Sequence, residues 1–386
     1  MFDRPEGIEK CRIWIDGCFD FAHHGHAGAM LQAKQLGREL YVGVHSDEEI
    51  LYNKGPTVMK LDERMTAVEA CKWATKAISD APYVTDPKFM DQYDCKYVVH
   101  GDDITTDANG EDCYQIMKDL GRFVIVKRTP NISTTDLVGR MLLMSKNHHY
   151  RSIEDNVHPL LNDENNEKFK RYATDFTGLK NGSGVYYYDQ KSEQIKLIID
   201  PSEEISNKTT IYYIDGGFDL FHPGHIEILK SIRKQQQQQQ GNDIKIVVGL
   251  YDDLTINTIE GLNYPIMNIL ERSLCTLQCK YVDSIILGVP FKPTESFLSK
   301  LGNVIRVYVG PVTDKELQQN KYGLLTDQSL IHKITNHKYE HMNTEFIVNR
   351  VLSNKKAYEE RQKRKGWKAE IEQKLKHEET EKGSTS

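Results

Sequence analysis

Paired cysteines, membrane-length apolar runs and a strong surplus of one charge are all missing from this 386-residue chain. The seven cysteines are scattered, odd in number and without a CxxC pair, which fits a reducing compartment better than a disulfide framework. No stretch reaches the roughly 18 apolar residues a membrane span needs, and the opening MFDRPEGIEK lacks the apolar core of a signal segment. The expectation is a cytoplasmic protein without stable membrane insertion. A formal net charge of −6 excludes the broad basic face that holding a nucleic acid requires. Small anions bound in a local pocket remain open. With 39% hydrophobic and 27% charged residues the chain can bury real cores, and its length suits two domains.

What is present, first of all, is a repeat. Asp16-Gly17-Cys18-Phe19-Asp20-Phe21-Ala22-His23-His24-Gly25-His26 lines up with Asp215-Gly216-Gly217-Phe218-Asp219-Leu220-Phe221-His222-Pro223-Gly224-His225, identical at seven of eleven positions. Composition alone gives HxGH about 0.03 times in such a chain, so even one copy is a signal. Each copy follows a β-rich run (11–15, 210–214) and precedes a helical pattern (27–36, 226–233). The next apolar runs, 40–44 and 244–250, are continuous rather than alternating, as in buried parallel strands. This order predicts an α/β fold: two tandem Rossmann-like, doubly wound parallel-sheet domains.

Boundaries follow from the same pattern: a first domain over 1–150, a linker over 151–207 containing a hairpin (185–188 and 195–199), a second domain over 208–352 and a charged tail over 353–386. The run Gln235–Gln240 is expected to be a loop expansion without chemical role, and the Lys- and Glu-dense tail a solvated helix that frays.

The strand-to-helix turn is where open α/β sheets bind ligands, and a helix N-terminus there offers free N–H groups to phosphate. Histidines at that turn can donate to phosphate oxygens, and preorganised cationic donors would stabilise the charge that builds during attack on phosphorus. Core packing is the alternative for any histidine pair. Gly25 leaves backbone room for close approach.

DGxFDxxHxGH resembles the signature of the HxGH nucleotidyltransferase superfamily, which includes the cytidylyltransferases. Asn53-Lys54-Gly55-Pro56-Thr57-Val58-Met59 with Asp62-Glu63-Arg64 resembles the lysine-bearing stretch of the phosphocholine and phosphoethanolamine enzymes, and Arg128-Thr129-Pro130-Asn131-Ile132-Ser133-Thr134-Thr135 resembles their RTxGIST motif. With the duplication, the pattern is similar to the ethanolamine-phosphate cytidylyltransferase family over nearly the whole chain. That resemblance implies CMP transfer from CTP to phosphoethanolamine, with pyrophosphate released and Mg²⁺ arriving with CTP, held mainly by phosphates and waters without a dedicated protein ligand.

The resemblance also implies roles. His23 and His26 stabilise the transferring phosphate, Lys54 bridges the phosphates of both substrates, and Arg128 clamps phosphate. Gly17, Cys18, Phe19, Asp102, Thr129, Ile132, Ser133 and Thr134 complete the nucleotide site. An ordinary helix cap is the alternative for Ser133 and Thr134. Asn131 replaces the family glycine and is expected to take its positive φ. Asp16, Lys54, Tyr83 and Tyr114 fall at acceptor positions, and Thr106 stands where choline enzymes have a further tyrosine, which favours the smaller amine. Phosphocholine or another phospho-alcohol remains the alternative acceptor.

The second half keeps His222 and His225, but Thr258-Ile259-Glu260-Gly261 has no lysine, Arg128-Thr129 becomes Lys338-Tyr339, and Ser133 becomes Asn343. It is expected not to catalyse, with nucleotide sensing as an alternative. An adenylyl-transferring relative or a class I aminoacyl-tRNA synthetase could also own HxGH. Met144-Ser145-Lys146 is a decoy for the synthetase loop because it continues a helical pattern.

Overall fold

Apolar runs buried on both faces satisfy their backbone only by pairing with one another, and they do so in two separate sheets. The computed structural model describes residues 4–150, 159–205, 209–238, 244–311, 320–361 and 363. The chain divides into two compact units, Met1–Leu142 with Ile347–Ser386, and Leu143–Phe346.

In the first unit, β1 (Arg12–Gly17), β2 (Glu39–His45), β3 (Lys76–Ala81), β4 (Cys95–Gly101) and β5 (Phe123–Val126) form an all-parallel sheet ordered β3-β2-β1-β4-β5. Strand order reverses beside β1, so the crevice between the carboxyl ends of β1 and β4 is the topological switch point. The repeat's first copy sits there, between β1 and the helix His24–Leu36. Packing fixes local residue choice: a Cβ on Gly43 would stand 2.3 Å from the buried Trp14 ring.

In the second unit, β6 (Gly184–Asp189), β7 (Gln194–Ile199), β8 (Thr210–Gly216), β9 (Ile244–Leu250), β10 (Ser284–Leu287), β11 (Asn303–Val309) and β12 (Ile331–Lys333) form one sheet ordered β12-β11-β8-β9-β10-β6-β7. The same reversal occurs beside β8, which carries the second copy. Gly249 repeats the role of Gly43, since its Cβ would lie 2.4 Å from the hydroxyl of Tyr213.

Four expectations change. The hairpin forms, but it is no linker: β6 pairs parallel with β10, Gly184 opposite Ser284, and so extends the second sheet. Buried Val185, Tyr187 and Tyr188 require that partner, and it comes a hundred positions later in sequence. Gln235–Gln238 ends the helix Pro223–Gln238 rather than looping out, and Gln235 Oε1 accepts from Arg306 Nη1 (3.1 Å) and the Tyr308 hydroxyl (2.8 Å); Gln239 and Gln240 lie outside the described residues. The helix ending at Leu143 stops there because Met144 takes φ 54°, so 144–146 does not continue it. Finally, the charged tail begins as the expected exposed helical segment, with 353–356 in water, but Tyr358 is only 2% exposed and Ile347 through 361 belong to the first unit; residues 364–386 lie outside the described ones.

Candidate active site

The turn after β1 is strained. Phe19, Phe21 and Ala22 all hold positive φ (54°, 64° and 41°), a conformation that persists in non-glycine residues only where surroundings over-determine it. Those surroundings are visible. Asp20, 1% exposed, accepts from the Val58 and Met59 amides (2.9 and 2.8 Å), and its carbonyl accepts from Thr134 Oγ1 (3.3 Å). One residue thus ties the histidine turn to the lysine stretch and to the RT-x-x-IST stretch. Sequence reasoning left Asp20 unassigned, although its presence in both copies signalled it.

His23 caps the helix His24–Leu36, its Nδ1 accepting from the Gly25 amide at 3.1 Å. That bond fixes the tautomer, leaving the proton of a neutral ring on Nε2, where it can be donated to a ligand. The His26 ring stacks on His23 with centroids 3.8 Å apart, and Phe19 meets His26 edge-on at 5.4 Å. A Cβ on Gly25 would strike Ile132 Cγ2 at 2.8 Å and His23 Nδ1 at 2.9 Å. Glycine is required there, and Ile132 is brought against the turn. Burial, then the charges of Lys54 and Arg128, push the His26 pKa down to about 3. The expectation of a cationic pair is therefore corrected for His26, whose ring is neutral at pH 7.

Lys54 follows the helix Asp47–Asn53, and its Nζ stands 5.5 Å from the centre of the Tyr83 ring. Burial, with a smaller contribution from the Lys54 charge, lowers the pKa of His26 on one side and of His45 and His100 on the other. Arg64, 1% exposed, anchors the surroundings by donating to the carbonyls of Met59, Cys18 and His45 (3.1, 2.7 and 2.8 Å) and to Asp47 (2.7 Å). It was read only as part of a matched stretch. Its place in both repeats was the available clue.

Asp16 ends β1 in a buried polar pocket. One oxygen accepts from Trp14 Nε1 (2.9 Å) and Thr85 Oγ1 (2.7 Å), the other from the Tyr114 hydroxyl (2.6 Å). Burial, then the nearby Asp16 carboxylate, holds the Tyr114 phenol well above its ordinary pKa, so it remains a donor. The Tyr83 hydroxyl donates to the Thr106 carbonyl (3.4 Å), and its ring centre is 5.2 Å from that of His45. Asp16, Tyr83, Tyr114 and Thr106 therefore share one pocket, with His45, His100 and Thr85 added by the structure.

Arg128 is half exposed and pairs with Asp103 at 3.0 Å; Asp102 is exposed beside it. Asn131 takes φ 64°, as expected for a residue in a glycine's place. Ser133 Oγ accepts from the Asp136 amide at 3.0 Å, the capping bond, at the start of the helix Thr134–Leu143. Gly17 lies against the Phe19 ring, the Cys18 carbonyl is held by Arg64, and Thr129 is half-buried. Among the described residues no group of three or more His, Cys, Asp or Glu side chains has the arrangement of a metal site.

The second unit repeats the scaffold bond for bond. Asp219 accepts from the Ile266 and Met267 amides (2.6 and 2.9 Å), Thr344 Oγ1 donates to the Asp219 carbonyl (3.3 Å), and buried Arg272 donates to Met267, Gly217, Tyr251 and Asp253 as Arg64 does to its partners. The chemistry differs. His222 and His225 stack at 3.8 Å, yet neither ring nitrogen of His222 has a hydrogen-bond partner, and His225 is held at about 3 by burial alone. Gly261 repeats the positive φ of Gly55, which sets Glu260 against Lys54. Most telling is Asp215, the counterpart of Asp16. It accepts from the Tyr251 and Tyr322 hydroxyls (2.9 and 3.0 Å) and pairs with the buried ammonium of Lys321 at 2.9 Å, whose Nζ stands 5.0–5.9 Å from the ring centres of Tyr322, Tyr251 and Phe291. The second pocket is filled by the chain's own primary ammonium.

A cytidylyltransferase-like family model matches residues 14–140 and again 213–356. Ethanolamine-phosphate cytidylyltransferase of Dictyostelium discoideum is 38% identical over 92% of this chain and 94% of its own length. The protein of that name in Mus musculus is 35% identical over 92% and 89%. Choline-phosphate cytidylyltransferase A of the same animal is 39% identical, but over only 34% of this chain and 36% of its own. With both repeats matched and relatives aligned end to end, the chain belongs to the ethanolamine-phosphate cytidylyltransferase family.

Proposed function

We propose that the first unit transfers the cytidylyl group of CTP to phosphoethanolamine and that the second unit does not catalyse. An oxygen of the acceptor phosphate attacks the α-phosphorus, the bond to the pyrophosphate oxygen breaks, and CDP-ethanolamine and pyrophosphate leave. No protein nucleophile is needed. His23 donates through Nε2 to the phosphate on which charge builds, His26 adds a second neutral donor, and Arg128 holds the triphosphate. Gly17, Cys18, Phe19, Asp102, Thr129, Ile132, Ser133 and Thr134 line the nucleotide side. Lys54 links the two substrates. Mg²⁺ bound with CTP would supply neutralisation of the triphosphate, and no residue of this chain is assigned as its ligand.

One observation carries the reading: Lys54 Nζ stands 5.5 Å from the ring centre of Tyr83 in the Asp16 pocket, while the loop that follows it is bound through its Val58 and Met59 amides to Asp20 of the histidine turn, the place a residue serving both nucleotide and acceptor requires. Primary-ammonium preference is supported by Lys321, whose ammonium fills the corresponding pocket of the second unit. In the first pocket Asp16 is the carboxylate that receives the amine, beside Tyr83 and Tyr114. The reading takes the cytoplasm as its compartment, supported by seven cysteines that stand as thiols. Among the described residues no helix is long and apolar enough to cross a membrane.

Pyrophosphate release from Mg²⁺-CTP with each phosphoamine tests this. Turnover with phosphoethanolamine well above that with phosphocholine is expected. Turnover with another acceptor and none with phosphoethanolamine overturns it.

A further inference from the structure

In the lysine loop of the first unit, residues 54–59, local partners serve mainly the amides: Lys54 and Gly55 donate to the Ile50 and Leu51 carbonyls, Asp20 accepts from the Val58 and Met59 amides, Thr57 Oγ1 donates to Asp47 (3.4 Å), and Arg64 donates to the Met59 carbonyl. The three preceding carbonyls are exchanged one for one with side chains almost three hundred positions away. Arg361 Nη1 donates to Pro56 (2.6 Å), the Tyr358 hydroxyl to Thr57 (3.0 Å) and Arg350 Nη1 to Val58 (2.8 Å). Arg350 also makes a two-pronged pair with buried Glu63 (2.6 and 2.9 Å), and the Arg361 stem lies against Gly55, where a Cβ would be 3.3 Å away. Val58 is buried and Pro56 and Thr57 are half-buried, so this match of consecutive carbonyls to consecutive donors specifies one loop conformation.

The second unit supplies a comparison. Its corresponding loop is held partly from nearby: Asn257 Nδ2 donates to the carbonyls of Gly261, Leu262 and Tyr264 (3.2, 3.1 and 2.6 Å), while His148 and His149, more than a hundred positions earlier, reach the Pro265 carbonyl (both 2.8 Å). Only the loop that carries a lysine relies wholly on distant side chains for those carbonyls.

We propose that Arg361, Tyr358 and Arg350 are positioning residues for Lys54: the segment after the second repeat sets the loop so that its lysine reaches both substrates. This rests on the reading that Lys54 works in the first site. The charged tail is then part of the transferase, although it touches neither substrate.

The test uses the full chain carrying Arg361→Ala with Tyr358→Phe; Arg361 also pairs with the buried Asp20 carboxylate at 3.5 Å, which keeps its bonds from the Val58 and Met59 amides in the variant, whereas loss of Arg350 would strip both prongs from buried Glu63. We expect kcat to fall roughly 10- to 100-fold, as for displacement of a substrate-positioning group, with thermal unfolding and the KM for CTP nearly unchanged and amide exchange faster within 54–59. Arg361→Lys, which still offers a donor to Pro56, should recover part of the loss. Lys54→Ala separates the two ideas. If it abolishes turnover while the double variant works like the parent, the positioning role is wrong and the reading of Lys54 stands; if Lys54→Ala leaves turnover intact, that reading fails too. His148→Gln with His149→Gln, which loosens the loop lacking a lysine, should leave kcat unchanged, and an equal loss there overturns the proposal in favour of general loosening.

Discussion

The two repeats share a skeleton and differ in what it holds. Asp20 and Asp219, Arg64 and Arg272, Thr134 and Thr344 make matching bonds within a few tenths of an ångström. The groups that would meet a triphosphate or an amine have diverged: lysine to glutamate, arginine to lysine, a carboxylate bonded by Trp14, Thr85 and Tyr114 to one paired with Lys321. Conserving a turn is therefore a different matter from conserving a reaction. Stacked histidines follow from the turn, whereas chemistry needs the cations around it.

The largest expected effect would break this contrast most directly. His23→Ala or His26→Ala should lower kcat by about 10²–10³-fold, the usual cost of removing a preorganised donor, while His222→Ala or His225→Ala leaves it unchanged in steady-state pyrophosphate release. A folded His225 variant with equally poor turnover would make the second unit a participant. Next is Lys321→Met, which strips the partner from a carboxylate whose other oxygen has no hydrogen bond. Loss of one member of a buried pair costs about 3–5 kcal/mol, and the two tyrosine hydroxyls on Asp215 put this case at the low end. Calorimetry should show the second unit melting earlier, with turnover retained below that melt and ethanolamine raising the melt of the variant more than that of the parent.

Acid sharpens the comparison. His26 and His225 both sit at about 3 when folded, against about 6.5 unfolded. Between those values the unfolded chain binds more protons, so stability is lost as pH falls from about 6.5 toward about 3. His26→Gln and His225→Gln should each flatten that loss in denaturant titrations. CTP should flatten it through His26 only, because phosphate favours the protonated ring. The smallest effect is at Asn131: Gly is expected to be neutral there, whereas Val costs about 1–2 kcal/mol for holding φ 64°, read from the shift in urea midpoint.

Most of the fold was legible because parallel strands buried on both faces announce themselves as continuous runs, and because the repeat located both switch points. The histidine turn was legible from the repeat, whereas Lys54 and the acceptor residues Asp16, Tyr83 and Tyr114 were read through the family resemblance, and the structure brings those four together. What stayed hidden has a common cause. β6 finds its partner a hundred residues on, Tyr358 sits in a composition that reads as solvated, and the Arg64 anchor donates mostly to carbonyls, which carry no sequence identity. The neutrality of His26 depends on burial beside two cations, which no motif records.

The division of the chain into units has a consequence for anyone wishing to dissect it. Residues 143–150 belong with the second repeat and 347–361 with the first. The second unit is one uninterrupted stretch, Leu143–Phe346, whereas the first is encoded in two pieces on either side of it, so no single cut in the gene yields a product containing one complete unit and nothing else. A fragment ending near 150 would retain every residue of the first motif set and lack the donors for three successive carbonyls beside its lysine.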